Sequence, residues 1–208
     1  MKIINKAITQ LEKTKKSYLF LFILVLIGVI TGCIFFNTIN NNDKVLVVTK
    51  ISDFMSNIKN NNLNHTEVLK TSLITNLSMV IIMWLLGISI IGCFINVFIT
   101  YLKGFIFGFI ISGILYTYKS IGLIGIITYT FPHYFINIIV VIVMTYFSLN
   151  ISKVLLKSII QKQSVNLSTI MKKYYKILLF SICTIIISSL FETFISPYII
   201  KLFTLLIK

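Results

Sequence analysis

The chain is cut into apolar runs by its few charges, and the lengths of those runs constrain its fold more than any other feature. Tyr18 to Phe36 carries no charge. At about 1.5 Å per residue in a helix it reaches roughly 28 Å, the thickness of a bilayer's hydrocarbon core. Residues 71–118 hold a single charge, Lys103, and are long enough for two spans with a tight turn between them, placed at Gly92 to Asn96. Lys103 then falls near the inner end of the third span, where its stem can snorkel toward headgroups. Ser120 to Ser152 is uncharged but too short for two full spans, and Pro132 divides it. The spacing predicts a re-entrant or interfacial piece from Ser120 to Phe131 and a fourth span over 133–152. Residues 177–200 make the fifth. The expected fold is therefore all-α, a single polytopic membrane domain over 1–208, with spans near 18–36, 72–91, 97–118, 133–152 and 177–200.

Composition agrees: 57% of the residues are hydrophobic and 12% charged, too little polar surface to coat a soluble globule. The net charge of +14 comes from lysine alone. These lysines flank apolar runs and form no aromatic-interleaved basic patch, so anionic lipid, not nucleic acid, is the expected polar partner. Lysine placement orients the chain. The tail 1–17 and the segment 153–176 are lysine-rich and read as cytoplasmic, while the loop 37–70 balances its lysines with Asp43, Asp53 and Glu67 and reads as extracytoplasmic. An odd number of spans satisfies this; Lys119, Lys201 and Lys208 on the outside go against it. In the outer loop, Val47, Val48, Ile51, Phe54, Met55 and Ile58 recur at helical spacing, which predicts an amphipathic helix from Lys44 to Lys59 lying on the bilayer or on a partner.

No motif for catalysis is present. The sequence has no H-E-x-x-H, no G-x-S-x-G, no nucleotide-binding P-loop and no pair of intramembrane aspartates. Cys33, Cys93 and Cys183 stand apart inside apolar stretches, with neither disulfide nor zinc spacing, and read as small core residues. No cofactor or metal is expected. Ile30 to Cys33 does satisfy a loose lipoprotein cleavage pattern, but the bulky Ile34, Phe35 and Phe36 follow it, and the run is better used whole as a span.

What the spans do carry is packing chemistry. Gly28 and Gly32 are four apart, and so are Gly104, Gly108 and Ser112, spacings that let helix backbones approach closely. Gly87 and Gly92, around Trp84 and Ser89, offer a similar surface on the second span. Glu192 is the sole acid in the last two thirds of the chain and sits in a stripe of Thr184, Ser188 and Ser196, which must face protein or water. A charge at mid-helix costs about 3 kcal/mol on insertion scales, so Glu192 is expected to be protonated, paired or watered. Pro197 removes a donor from the carbonyl of Thr193, leaving an acceptor for a neighbour or water. His133, beside Pro132 at the other helix break, is the expected partner of Glu192, with Lys103 as an alternative.

In order along the chain, "IGVITGCIFFN", "WLLGISIIGC", "LKGFIFGF", "FPHYF" and "SSLFETFISP" resemble stage II sporulation protein M, a multispanning membrane family of endospore-forming bacteria. The resemblance implies a role in engulfment, as the membrane platform of a machine in which stage II sporulation proteins D and P cut peptidoglycan. It would place the chain in the mother-cell membrane as a scaffold, with Glu192 and Pro197 holding the bundle together or receiving a partner helix. A second copy of the chain is a further candidate partner. The alternative is a transporter for a small solute, ion or lipid, because broken helices beside ionisable residues also build substrate sites.

Overall fold

The computed structural model describes residues 2–60, 64–161 and 167–199, leaving Lys162, Lys201, Lys208 and the expected last residue of the fifth span, Ile200, outside the described residues. Every described element is helical: α1 (Lys2–Thr38), α2 (Asn41–Lys59), α3 (His65–Gly87), α4 (Gly92–Gly125), α5 (Phe131–Gln161) and α6 (Leu167–Leu190). Two π-helical turns, Ile126–Thr130 and Phe191–Ile195, lie before α5 and after α6. Five helical stretches are long and apolar enough to cross a membrane: Thr14–Thr38, His65–Gly87, Gly92–Gly125, Phe131–Gln161 and Ser168–Ile199. Large apolar side chains such as Ile82, Phe98, Phe180 and Ile187 stay exposed along them, the outward face expected where lipid replaces water.

Local sequence sets the ends. Asn64 caps α3, its side-chain oxygen accepting from the Glu67 amide at 3.3 Å. The α3–α4 turn is Ile88–Ile91, four residues earlier than expected, because Ser89 accepts from the Gly92 amide at 2.8 Å and starts α4 there. Gly92 could not be larger, since a Cβ on it would press on the Leu86 carbonyl and lie 2.7 Å from the Ser89 hydroxyl.

The bundle has two apolar centres. Val80 and Met83 of α3, Val140, Val141 and Met144 of α5, and Leu178 and Ile185 of α6 form one. Val25, Phe107 and Ile138 join α1, α4 and α5 in the other. The small-residue spacings of the first and third spans prove to be partners of each other. A Cβ on Gly28 or Gly32 would strike the backbone of Tyr101 or Phe105, and one on Gly104 or Gly108 the backbone of Val25 or Val29. Cys33 lies in the same seam and donates to the Gly108 carbonyl at 3.3 Å. Of the other cysteines, Cys93 is buried, but Cys183 is exposed on α6 and is not the core residue expected.

Three expectations about placement change. The segment before Pro132, expected to be re-entrant or interfacial, is a helical arm that runs on into α5. Lys119, with φ 51° and ψ −136°, folds α4 back on itself, so that Gly122 comes against the Ile114 carbonyl. The returning arm then pairs antiparallel with α4 through Phe107–Tyr134, Thr100–Thr145 and Asn96–Ser148. Lys103, expected near the inner end of the third span, lies eleven residues into α4 and reaches Asn76, the midpoint of α3, at 3.4 Å. And α2 does not rest on lipid with its apolar face. Met55 and Ile58 are buried with Phe54 against Tyr118, and Ile51 meets Gly113, so α2 caps one end of the bundle.

Candidate functional site

Both prolines follow a π turn by two residues, and the cause is the same in each case. A proline has no N–H for the carbonyl four residues back, and its ring crowds that carbonyl. Widening the preceding turn relieves the crowding: the Phe131 amide bonds Ile126 and the Ser196 amide bonds Phe191, each five residues back. The carbonyl that Pro197 leaves without a donor, that of Thr193, is met by His65 Nδ1 at 3.1 Å. His65 also stacks on Phe194, their ring centroids 5.9 Å apart. The expected acceptor thus finds a side chain 128 residues away in sequence.

The two breaks face each other across a cavity of about 600 Å³ between α3, α4, α5 and the second π turn. Glu192 is its centre. One carboxylate oxygen accepts from Ser72 at 2.7 Å and the other lies 3.9 Å from His133 Nε2. The Ser72 hydroxyl also lies 3.0 Å from that of Ser189 and accepts from Asn76 at 3.4 Å, and Asn76 in turn takes the Lys103 bond. Glu192 and Lys103 therefore line one space, joined through Ser72 and Asn76. Asn137 and Tyr134 complete its α5 wall. Asn137 is 4% exposed, yet its carbonyl oxygen has no hydrogen-bond partner. A second cavity, of about 430 Å³, shares His133, Tyr134 and Glu192 with the first but is otherwise walled mainly by apolar side chains of α2 and α4. The arrangement can hold and orient a group with separated charges. Among the described residues, no three His, Cys, Asp or Glu side chains converge as a metal site.

A family model described as stage II sporulation protein M matches residues 21–197 of the 208. The chain belongs to the stage II sporulation protein M family. No curated protein and no solved structure matches it. The family match opens within α1 ahead of Gly28 and closes on Pro197, so both glycine pairs, both prolines and all the cavity side chains fall inside it.

For this member of the family, the structure gathers some of the singled-out residues and separates others. Pro132, His133, Ser188, Glu192, Ser196 and Pro197 lie at the two breaks, with Ser188 donating toward the His133 carbonyl at 3.4 Å. Lys103 joins them. Gly104 and Gly108 belong to the α1 seam instead. Trp84 and Gly87 lie farther along α3, where Tyr174 stacks on the Trp84 ring at 5.8 Å, donates to its carbonyl at 3.2 Å and occupies the space over Gly87. Ser89 and Gly92 make the α3–α4 turn. Thr184 falls off the buried stripe: it is half-buried within regular α6, and Ser181, then Ser188 and Ser189, then Thr193 and Ser196 are the buried polar positions.

Sequence reasoning missed Ser72, Asn76 and Asn137 of the cavity and His65 at the second break. It also missed a polar ladder between α4 and α5, where Asn96 bonds Ser148 at 3.0 Å and Thr100 meets Thr145 at 2.8 Å, with Asn96 also donating to the Met83 carbonyl of α3 at 2.8 Å. The signal was present as small polar residues four apart, Ser72 with Asn76 and Asn96 with Thr100, inside otherwise apolar runs.

Proposed function

We propose that this chain is a non-enzymatic membrane scaffold for the engulfment machinery of endospore formation, holding stage II sporulation proteins D and P at the engulfing membrane. The observation that carries the reading is the mounting of α2. Its apolar side is spent on the bundle, through Met55, Ile58 and Ile51, so it is a fixed platform and not a floating loop. Its opposite side still presents Val45 and Leu46, 63% and 62% exposed, beside Asp53 and Lys50. An apolar pair rimmed by charges on a rigid support suits a protein partner.

Lysine distribution orients the platform outward. The exposed Lys153, Lys157, Lys172, Lys173 and Lys176 lie at the opposite end, where anionic headgroups of the cytoplasmic leaflet would hold them. The N-terminus is then cytoplasmic and α2 is on the side where peptidoglycan is cut.

The test is affinity recovery from sporulating cells in mild detergent, comparing the native chain with the Val45→Glu, Leu46→Glu double variant. Native chain that brings both wall-cutting proteins, and a variant that folds but loses them, supports the scaffold. Intact native chain that brings neither removes the reading.

A second reading has one observation in its favour, the charged cavity between two broken helices. A transporter that moves a proton through Glu192 loses function in Glu192→Gln. A scaffold in which Glu192 mainly accepts from Ser72 keeps sporulating.

A further inference from the structure

We propose that the paired cavities bind one membrane phospholipid with a primary ammonium headgroup, a phosphatidylethanolamine in chemical class. The inference stands apart from the scaffold reading, since a resident lipid is compatible with either function.

Three observations converge on that class. First, the polar cavity presents charges of both signs in one space, Glu67 and Glu192 against Lys103. A ligand that is itself zwitterionic satisfies both, while a purely anionic or cationic one leaves a charge within the bilayer facing its like. Second, the Asn137 carbonyl oxygen is buried without a donor. A buried acceptor is rarely left so, and the occupant must bring an N–H or O–H to it. An ammonium group has three such donors to share between Asn137 and Glu192, whereas a trimethylammonium has none. Lys103 is then positioned for the phosphate.

Third, the polar space does not end in polar walls. At His133, Tyr134 and Glu192 it meets the second cavity, lined mainly by Ile51, Phe54, Met55, Phe109 and Ile110, with the exposed Lys50 at its edge. A charged head joined to a hydrocarbon tail is the amphiphile that fills both at once. Thr130, 1% exposed, lines this second cavity with its own hydroxyl unpartnered, a donor placed for a glycerol ester carbonyl. Entry is lateral. Ile106 borders the polar cavity on α4 and is 44% exposed, so that side opens toward the bilayer, while the exposed Asn57, Asn64 and Glu67 border its polar end.

The experiment is native mass spectrometry of the full chain released from detergent, titrated with phosphatidylethanolamine, phosphatidylcholine and phosphatidylglycerol of identical acyl chains. Soluble phosphoethanolamine is added as a competitor. The ethanolamine lipid is expected to be retained at least tenfold better than the other two. Asn137→Leu removes an unsatisfied acceptor and leaves folding intact, and is expected to erase that preference, as is Lys103→Gln. Should Lys103→Gln fail to fold, Ile106→Trp at the mouth is expected to slow lipid entry at least tenfold without lowering the melting temperature. Equal retention of all three lipids would overturn the proposal, as would an unchanged preference in Asn137→Leu. Displacement by soluble phosphoethanolamine at the lipid's own concentration would make the ligand a small zwitterion and also overturn it.

Discussion

Glu192 keeps its place through acceptance more than through charge. Ser72 donates to one oxygen at 2.7 Å, while His133 stands at 3.9 Å from the other, beyond hydrogen-bond length. Glutamine keeps the acceptor and loses the charge, so Glu192→Gln is expected to stay within about 1 kcal/mol of the native chain. Leucine removes the acceptor from under Ser72 and should cost about 1–3 kcal/mol. Thermal unfolding in detergent, followed by circular dichroism, separates the two. Lys119 makes a sharper single-residue case. Its φ of 51° with ψ of −136° belongs to backbone space that side chains disfavour. Lys119→Gly relieves that strain and Lys119→Ala does not, so the glycine variant should be the more stable by about 1 kcal/mol, net of the added freedom of its unfolded chain. Equal melting points would contradict it. Nothing in the sequence marks this turn, because lysine is an ordinary residue at a membrane face and an unexpected one at positive φ.

Between elements, the α1–α4 seam and the α2–α4 contact respond differently to the same added methyl. A Cβ on Gly108 meets the Val29 backbone, which cannot swing aside, whereas one on Gly113 meets the tip of Ile51 at 2.9 Å, which can. Gly108→Ala is expected to cost about 1–3 kcal/mol and Gly113→Ala under about 1 kcal/mol. Melting temperatures in one detergent provide the comparison. The π turns follow the same logic of displaced backbone. Pro197→Ala restores an amide that competes with His65 for the carbonyl region of the second break. His65→Ala should therefore cost about 1 kcal/mol in the native chain and measurably less in the Pro197→Ala background, a coupling that thermal unfolding of the two single variants and the double variant reads out. Here the sequence was half legible. Proline announced a lone acceptor at Thr193, and glycine spacing announced close helix contact. Which element would supply the other half could not be seen, because His65 and Phe194 lie 129 positions apart and carry no shared pattern. Lys103 was misplaced for a related reason. A lone lysine in an apolar run points to the membrane face until Asn76, on another helix, is known to be within reach.

For the molecule as a whole, five apolar helices and the lysine-rich segments make a prediction about sidedness. In a background with all three native cysteines replaced, Leu46→Cys on α2 should react with a membrane-impermeant maleimide in intact cells, and Lys157→Cys should react after permeabilisation alone. Reversal of the two would turn the platform inward and end its role as a mount for wall-cutting proteins. The number of spans and the all-helical class could be read from run lengths, because the bilayer imposes one length on every crossing. The antiparallel return at Lys119 could not, since an uncharged stretch of intermediate length looks the same whether it dips into the membrane or continues a helix.

The interlocked glycines of α1 and α4 also bear on how the chain is born. Gly28 leaves the ribosome 76 positions ahead of Gly104, a delay of roughly 4–15 s at ~5–20 residues per second. Throughout that interval α1 is in the membrane with its notched side bare. Two segments that must find each other after separate arrival need no covalent link to do so. A chain severed between Thr38 and Asn41 and produced as two polypeptides should reassemble in the membrane, and in a cell making many copies the first helix of one chain can complete the bundle of another.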